Sequence, residues 1–136
     1  MKQLLIIHGP NMNLLGLQSA RVGTRYTLDK INRALRKSVR DSKFSLKIYQ
    51  THDEAKSVTL LHRNRKSAAG ILITPGPWFE NGYMLKETLE LLQIPYLTVS
   101  FIKRENTIFR HEEIVVESDP MKAYLQALDS LIAQLK

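Results

Sequence analysis

The segment LLIIHGPNMNLLG, residues 4–16, joins four apolar residues to a turn of glycine, proline and asparagine. A short, bulky apolar run is typical of a buried strand in a parallel sheet that is covered on both faces. In open α/β sheets, ligands bind beyond the carboxyl ends of such strands. The segment therefore predicts a first strand, Gln3–His8, that ends in a ligand-binding loop.

The length and composition predict one domain over residues 1–136. The chain is 43% hydrophobic and has no cysteine, which suits a single core and excludes disulfides, zinc-thiolate sites and thiol catalysis. The histidines lack metal-ligand spacing and the sequence has neither a Gly-x-Gly-x-x-Gly nor a Walker motif, so we expect no metal and no cofactor. The amino-terminal apolar run is too short for a signal peptide or a membrane span, which predicts a cytoplasmic protein without membrane contacts.

The net charge of +7 is compatible with nucleic acid, an anionic surface or small acidic substrates as partners. Much of the excess lies in residues 33–43 and 62–67, at helical spacing beside apolar residues. Aromatic residues that would stack on bases are not interleaved with these clusters. The pattern favours two solvated helix faces and disfavours nucleic acid, while a basic polyanion-binding module stays open as an alternative function.

Strand and helix patterns alternate along the chain without internal repeats. Helices are predicted after the capping residues Thr27, Asp53 and Asp119 and over Tyr83–Leu92. This alternation predicts an α/β fold, specifically a flavodoxin-like doubly wound five-stranded parallel sheet in a single domain. The predicted strands are Gln3–His8, Ser45–Thr51, Ala69–Thr74, Tyr96–Ser100 and Glu113–Glu117.

The loop sequence GPNMNLLG, residues 9–16, resembles the opening signature of the type II dehydroquinases, the 3-dehydroquinate dehydratases of the shikimate pathway. The resemblance implies a flavodoxin-like fold, a lyase that eliminates water, and a homo-oligomer, either a trimer or a dodecamer. It also implies that a neighbouring subunit supplies an acid to each site, at the position of Glu87. Further matching segments are TLDKIN (27–32), QTHDEA (50–55), GILITPG (70–76), FRH (109–111) and YLQAL (124–128).

The resemblance implies a catalyst that this sequence lacks. In the family, a lid tyrosine activated by an arginine removes a proton beside the ketone, and a histidine acts as general acid. The aligned residues here are Gly23, Gln18 and Ser100. Glycine cannot accept a proton, so we predict a divergent member that is catalytically impaired or repurposed. Three other functional positions also differ: Thr74, Glu80 and Thr98.

The resemblance implies that a pocket for a small anionic hydroxy acid is retained. Backbone amides need no particular side chain, so a carboxylate cradle can persist when the sequence changes. Loop geometry alone is an alternative explanation for Asn11 and Gly76. The predicted substrate-binding residues are Asn11, Thr74, Gly76, Phe101, Ile102 and Arg110.

Tyr26, Glu80 or a histidine, His8 or His111, would replace the missing catalytic groups if the chain is instead a working dehydratase. Tyr26 lies three positions beyond the lost tyrosine, and two arginines in the same loop would lower the pKa of its hydroxyl. Glu80 lies beside two aromatic residues, where a carboxylate is a candidate acid or base. The alternatives are a packing role for Tyr26 at a helix entry and simple exposure for Glu80.

Overall fold

In the computed structural model, which describes residues 2–21, 23 and 25–136, five strands form one sheet. They are β1 (Lys2–His8), β2 (Phe44–Gln50), β3 (Ala68–Thr74), β4 (Tyr96–Ser100) and β5 (Ile114–Val116). The strand order is β2-β1-β3-β4-β5, and each neighbouring pair is parallel. The predicted flavodoxin-like fold is confirmed, with strand boundaries that differ from the predicted ones by at most one residue.

Helices cover both faces of this sheet. Within the described residues they are α1 (Leu15–Ala20), α2 (Leu28–Ser38), α3 (Glu54–Asn64), α4 (Trp78–Asn81), α5 (Tyr83–Leu92) and α6 (Pro120–Gln134). Helices α2 and α6 pack on one face, and α3 and α5 pack on the other. Successive strand residues point to opposite faces, so Leu4 and Ile6 join the first core while Leu5 and Ile7 join the second.

The predicted capping residues begin three of the helices. The side chains of Thr27, Asp53 and Asp119 each accept a hydrogen bond from a backbone amide in the first turn of α2, α3 and α6, which satisfies a donor that the helix cannot pair. The short helices α1 and α4 lie in segments that were predicted as loops. Within the described part of the chain, no helix has the length and apolar character needed to cross a membrane.

Candidate functional site

The carboxyl ends of the strands and the loops that follow them form one edge of the molecule, which we call the rim. At its centre, the Gly9 amide donates to the Thr74 carbonyl at 3.0 Å. A Cβ atom at Gly9 would lie 2.2 Å from that carbonyl oxygen, so this turn requires glycine. The Gln50 side-chain amide donates to the Gly9 carbonyl at 3.2 Å. The loop after β1 is therefore held from both neighbouring strands.

Asn11 and Gly76 lie in rim loops with backbone φ angles of 64° and 56°. Glycine adopts this left-handed conformation freely, and asparagine does so more readily than most residues. The Asn11 amide donates to Nδ1 of the exposed His52 at 3.0 Å. Local geometry thus accounts for both residue types, and their contact with a ligand stays a prediction.

Four polar side chains form a hydrogen-bonded chain beneath the rim, which we call the neutral network: Asn32, His8, Tyr124 and Thr74. His8 is fully buried, with Nε2 at 2.7 Å from Asn32 Oδ1 and Nδ1 at 2.9 Å from the Tyr124 hydroxyl. Because Oδ1 only accepts, Nε2 carries the proton and Nδ1 accepts from Tyr124. The Tyr124 oxygen then accepts from Thr74 Oγ1 at 2.5 Å.

Both titratable members of the neutral network are uncharged at neutral pH. Burial lowers the pKa of His8 to about 4, against the effect of the hydrogen bond to Asn32. Burial raises the pKa of Tyr124 far more than its hydrogen bond with Thr74 lowers it. The network also engages the hydroxyl of Thr74, which is only 5% exposed. This predicted binding residue therefore lies below the rim and supports it from inside.

On the other side of the sheet, Ser100 and Arg104 place a cation at the rim. Ser100 is buried, and its hydroxyl donates to the Ile102 carbonyl at 2.5 Å and accepts from Arg104 Nε at 3.2 Å. The Arg104 guanidinium carbon lies 4.8 Å from the centroid of the Phe79 ring, a cation–π distance. Arg104 is not among the residues predicted from the sequence. The available signal was a Lys-Arg pair just beyond the end of the fourth predicted strand.

One of the two backbone amides predicted to bind a carboxylate forms a hydrogen bond within the protein. The Ile102 amide donates to Ser100 Oγ at 3.3 Å, while its side chain is 59% exposed. The Phe101 ring lies 6.0 Å from the Tyr124 ring, between centroids. The two residues therefore lie at the rim as expected, and their binding of a carboxylate stays a prediction.

The contacts of Tyr26 do not favour a role as a general base. Its hydroxyl lies 3.4 Å from Asp119 Oδ2, and its backbone amide and carbonyl both bond the Ser19 hydroxyl. Burial, followed by the charge of the Asp119 carboxylate, raises the pKa of Tyr26. The expected lowering of this pKa by the loop arginines was wrong, because burial and the nearby carboxylate raise it.

Glu80, the other candidate base, lies in surroundings that differ from those expected. Glu80 is exposed in α4 while its two aromatic neighbours are buried, so it does not share their apolar surroundings. Gly23 has a φ of 107°, a conformation in which a tyrosine would be strained. The side chain of Gln18 lies outside the described residues.

Arg110 lies apart from the other candidate residues, because the chain runs from the rim towards the amino end of β4 before it reaches Arg110. It is 69% exposed and, with Pro95 and Tyr96, lines a groove of about 510 Å³ at the amino end of β4. Its guanidinium lies 3.0 Å from the Glu113 carboxylate. The structure thus places Arg110 at the opposite end of the sheet from Asn11 and Gly76, and the expected gathering of these residues at one site is not seen.

Glu113 is the centre of a second buried group, the ionic network, with Lys86, Tyr96 and Arg110. Its side chain is 6% exposed and accepts from Lys86 Nζ at 2.7 Å and from the Tyr96 hydroxyl at 2.5 Å. Burial disfavours the charge on Glu113, but the bonds from Lys86, Tyr96 and Arg110 outweigh burial and lower its pKa to about 2. These contacts join the β4–β5 connection to α5.

No group of three or more His, Asp or Glu side chains suited to a metal ion occurs in residues 2–21, 23 and 25–136. A doubly wound parallel sheet with polar loops at its carboxyl edge defines a small α/β protein whose ligand site is expected at that edge. The family model of class II dehydroquinase matches residues 2–128. The chain belongs to this family, which confirms the resemblance seen in the sequence.

Individual relatives agree with this assignment. The chain is 29% identical to the 3-dehydroquinate dehydratase of Halothermothrix orenii, with 100% of this chain and 97% of the relative covered. It is 30% identical to the enzyme of Herpetosiphon aurantiacus, with 96% of each covered. The type II dehydroquinase of Butyrivibrio crossotus has a similar structure, with a TM-score of 0.82, 19% identity and 96% and 97% of the two chains covered. A 3-dehydroquinate dehydratase-like protein from Bifidobacterium longum gives a TM-score of 0.74 at 18% identity, with 100% and 99% covered.

Proposed function

We propose that the rim binds a small anionic hydroxy acid, and that the chain lacks ordinary 3-dehydroquinate dehydratase turnover. Family membership supports the ligand class, since the relatives are named for 3-dehydroquinate. The observation that carries the proposal is Arg104, fixed by Ser100 and by the Phe79 ring. Ser100 occupies the position where the family resemblance implies the general-acid histidine.

The Arg104 guanidinium beside Ser100 is suited to binding an anion and unsuited to transferring a proton. It is a permanent cation with several N–H donors, which matches a carboxylate but cannot release a proton to a leaving hydroxyl. A charge-assisted contact contributes roughly 1.5–3 kcal/mol, about ten- to a hundredfold in affinity. We therefore infer that Arg104 preserves affinity for an acid at a position that no longer donates protons.

The proton-abstraction step also lacks a well-placed base among the described candidates. A base must lie within hydrogen-bond reach of the proton that it removes. Tyr26 instead bonds Asp119, and burial with that carboxylate raises its pKa. General acids and bases contribute about a hundred- to ten-thousandfold each, so their joint loss predicts turnover close to the uncatalysed rate.

The activity test follows the enone product of 3-dehydroquinate dehydration by its ultraviolet absorbance. We expect no turnover by the wild-type protein, by Tyr26→Phe or by Glu80→Gln, with ligand binding intact in all three. Robust wild-type turnover that disappears in Tyr26→Phe or in Glu80→Gln would instead establish a working dehydratase with a substitute base.

The binding test uses calorimetry with quinate as the anionic hydroxy acid. Arg104→Ala should weaken binding by about ten- to a hundredfold, while Lys103→Ala, which removes a neighbouring exposed cation, should leave affinity unchanged. Arg110→Ala tests the earlier expectation directly, because Arg110 lies at the other end of the sheet. A loss of affinity in Arg110→Ala but not in Arg104→Ala would move the site away from Arg104.

The proposal includes self-association into a trimer or dodecamer, as the family resemblance implies. Helix α5 supports it with exposed apolar side chains at Tyr83 and Leu91, 67% and 75% exposed. Glu87 lies between them at helical i, i+4, i+8 spacing, so the three share one face. Light scattering at micromolar concentration should detect the oligomer, and Leu91→Glu should reduce its mass. A monomeric wild-type protein would refute the shared-site model.

A further inference from the structure

The charges of this protein are divided between the two halves of the sheet. Residues 1–75 contain 14 of the 20 Lys and Arg residues but only 4 of the 13 Asp and Glu residues. These residues form β1, β2 and β3 together with α2 and α3, so the positive charge is concentrated on the β2 side of the molecule. The half that contains β4 and β5 carries a net negative charge.

The fold brings the two basic runs of the sequence to one end. Helices α2 and α3 both finish at the amino end of the sheet, where Phe44 pairs with Lys2 and Ala68 pairs with Gln3. Adjacent strands lie about 4.8 Å apart, so β2 and β3, which follow α2 and α3, begin about 10 Å apart, with the two helix ends above and below the sheet. We call the exposed cations here the basic face: Lys37, Arg40, Lys43, Arg63, Arg65 and Lys66.

Carboxylates are fewer than cations at the basic face, where Asp129 of α6 lines a groove together with Lys43. Asp41 is the only acidic residue in segments 37–43 and 62–68. In the described part of the chain, the ion pair within residues 1–75 is Asp29–Arg33, near the start of α2 and away from this end. Favourable interaction with helix carbonyls explains cations in a last helical turn, but Arg40, Lys43 and Lys66 lie beyond the helices.

We propose that the basic face binds the phosphate backbone of duplex nucleic acid without reading its sequence. Phosphate contacts require only arranged cations, and they release counterions that favour binding. A protein partner would need apolar or aromatic anchors, whereas the large exposed apolar side chains of the described residues lie elsewhere, on α1 and the turn before it, α5, β5 and the loop after β4. The absence of aromatic residues from segments 37–43 and 62–68 disfavours single strands, which bind by base stacking, and leaves the phosphates of a duplex as the contact.

The test measures the fluorescence anisotropy of a labelled DNA duplex of about two helical turns, between about 50 and 200 mM KCl. The face variant is Arg40→Glu/Lys66→Glu. The control is Lys30→Glu/Lys56→Glu, which changes the charge equally at the rim ends of the same two helices. Circular dichroism checks that both variants are folded.

We expect the wild-type protein and the control to bind with similar affinity and a steep salt dependence. The face variant should bind at least tenfold more weakly, with a salt slope that is smaller by about two. Equal weakening in both variants would assign binding to overall charge and overturn the proposal. Failure of the wild-type protein to bind the duplex, with or without binding to phosphatidylserine vesicles, would also overturn it.

Discussion

The two faces of the sheet bury polar side chains in opposite ways. On the α2–α6 face, the neutral network joins His8 to Tyr124 without any net charge. On the α3–α5 face, the ionic network surrounds the Glu113 carboxylate with Lys86 and Tyr96. A buried neutral group is destabilised when it gains a charge, and a buried ion is destabilised when it loses its partner. Different changes should therefore destabilise the two networks.

The ionic network compensates for an unusual connection between strands. Parallel strands are commonly joined by a helix, but residues 101–113 between β4 and β5 form only loop and a short 3-10 turn. This segment is held by Phe109, whose ring contacts Phe79 at a centroid distance of 5.7 Å, and by Lys86, which lies 5.2 Å from the Phe109 ring. We infer that Glu113 fixes the end of the segment just before β5.

The largest effect is expected for Glu113→Ala. This change leaves the Lys86 ammonium, 12% exposed, with the more exposed Glu90 carboxylate at 3.0 Å as its remaining counter-charge, and breaking a buried pair costs about 3–5 kcal/mol. Denaturant unfolding should show the loss. Glu112→Ala is the matched control, because Glu112 is 68% exposed and lies 3.6 Å from Arg110, so its effect should stay within about 0.5 kcal/mol. Equal effects of the two changes would contradict a buried ionic network.

The neutral network should affect how the free energy of unfolding depends on pH. The pKa of His8 is about 4 in the folded protein, against 6.5 for an unperturbed histidine, so the unfolded chain binds more protons between these values. The resulting stabilisation is fully present above pH 6.5 and falls as pH approaches 4, by about 3 kcal/mol. His8→Gln should flatten the curve of unfolding free energy in this window.

The ionic network titrates in a lower window, which separates the two experimentally. The pKa of Glu113 is about 2 in the folded protein, against an unperturbed 4.5, so its stabilisation is present above pH 4.5 and is lost as pH falls towards 2. His8→Gln should retain this second decline. A His8→Gln curve parallel to that of the wild-type protein from pH 7 to pH 4 would show that His8 is not the buried neutral group described.

A smaller effect is expected for Tyr124→Phe. The ring and its edge contact with His8, at a centroid distance of 5.3 Å, are preserved, but His8 Nδ1 loses its donor and Thr74 loses its acceptor. Leaving buried polar groups unpaired costs about 1–3 kcal/mol. In a double-mutant cycle with Thr74→Val, the second change should cost less in the Tyr124→Phe background. Simple additivity would mean that the two hydroxyls do not interact.

The sequence predicted the strands and the main helices because their signals are local. Apolar runs identified β1, β3 and β4, and the capping residues at 27, 53 and 119 marked the helix starts. The short helices α1 and α4 follow Leu14 and Pro77, whose side chains cannot cap a helix, which explains why they were missed. Family resemblance located the rim, since its signature lies in the loop after β1.

The networks were not predictable from local patterns. His8 and Tyr124 are 116 positions apart, and Thr74 and Tyr124 are 50 apart, so their pairing depends on how α6 packs on the sheet. The predicted position of Arg110, beside the other binding residues, differs from its position in the structure for a related reason. The segment after β4 starts at the rim and must return to the amino end before β5, and nothing in its sequence indicates where along this path Arg110 lies.

The smallest effect is expected for Arg110→Ala, which tests the exposed edge of the ionic network. Its guanidinium meets Glu113 at 3.0 Å, but the side chain is 69% exposed, and solvent-screened pairs contribute about 0.2–1 kcal/mol. Lys86 and Tyr96 continue to satisfy the Glu113 carboxylate in this variant, so unfolding should shift only slightly and the decline of stability below pH 4.5 should persist. A loss as large as that of Glu113→Ala would mean that Arg110, rather than Lys86, is the main partner of Glu113. The α3–α5 face would then be stabilised by a surface ion pair instead of a buried one.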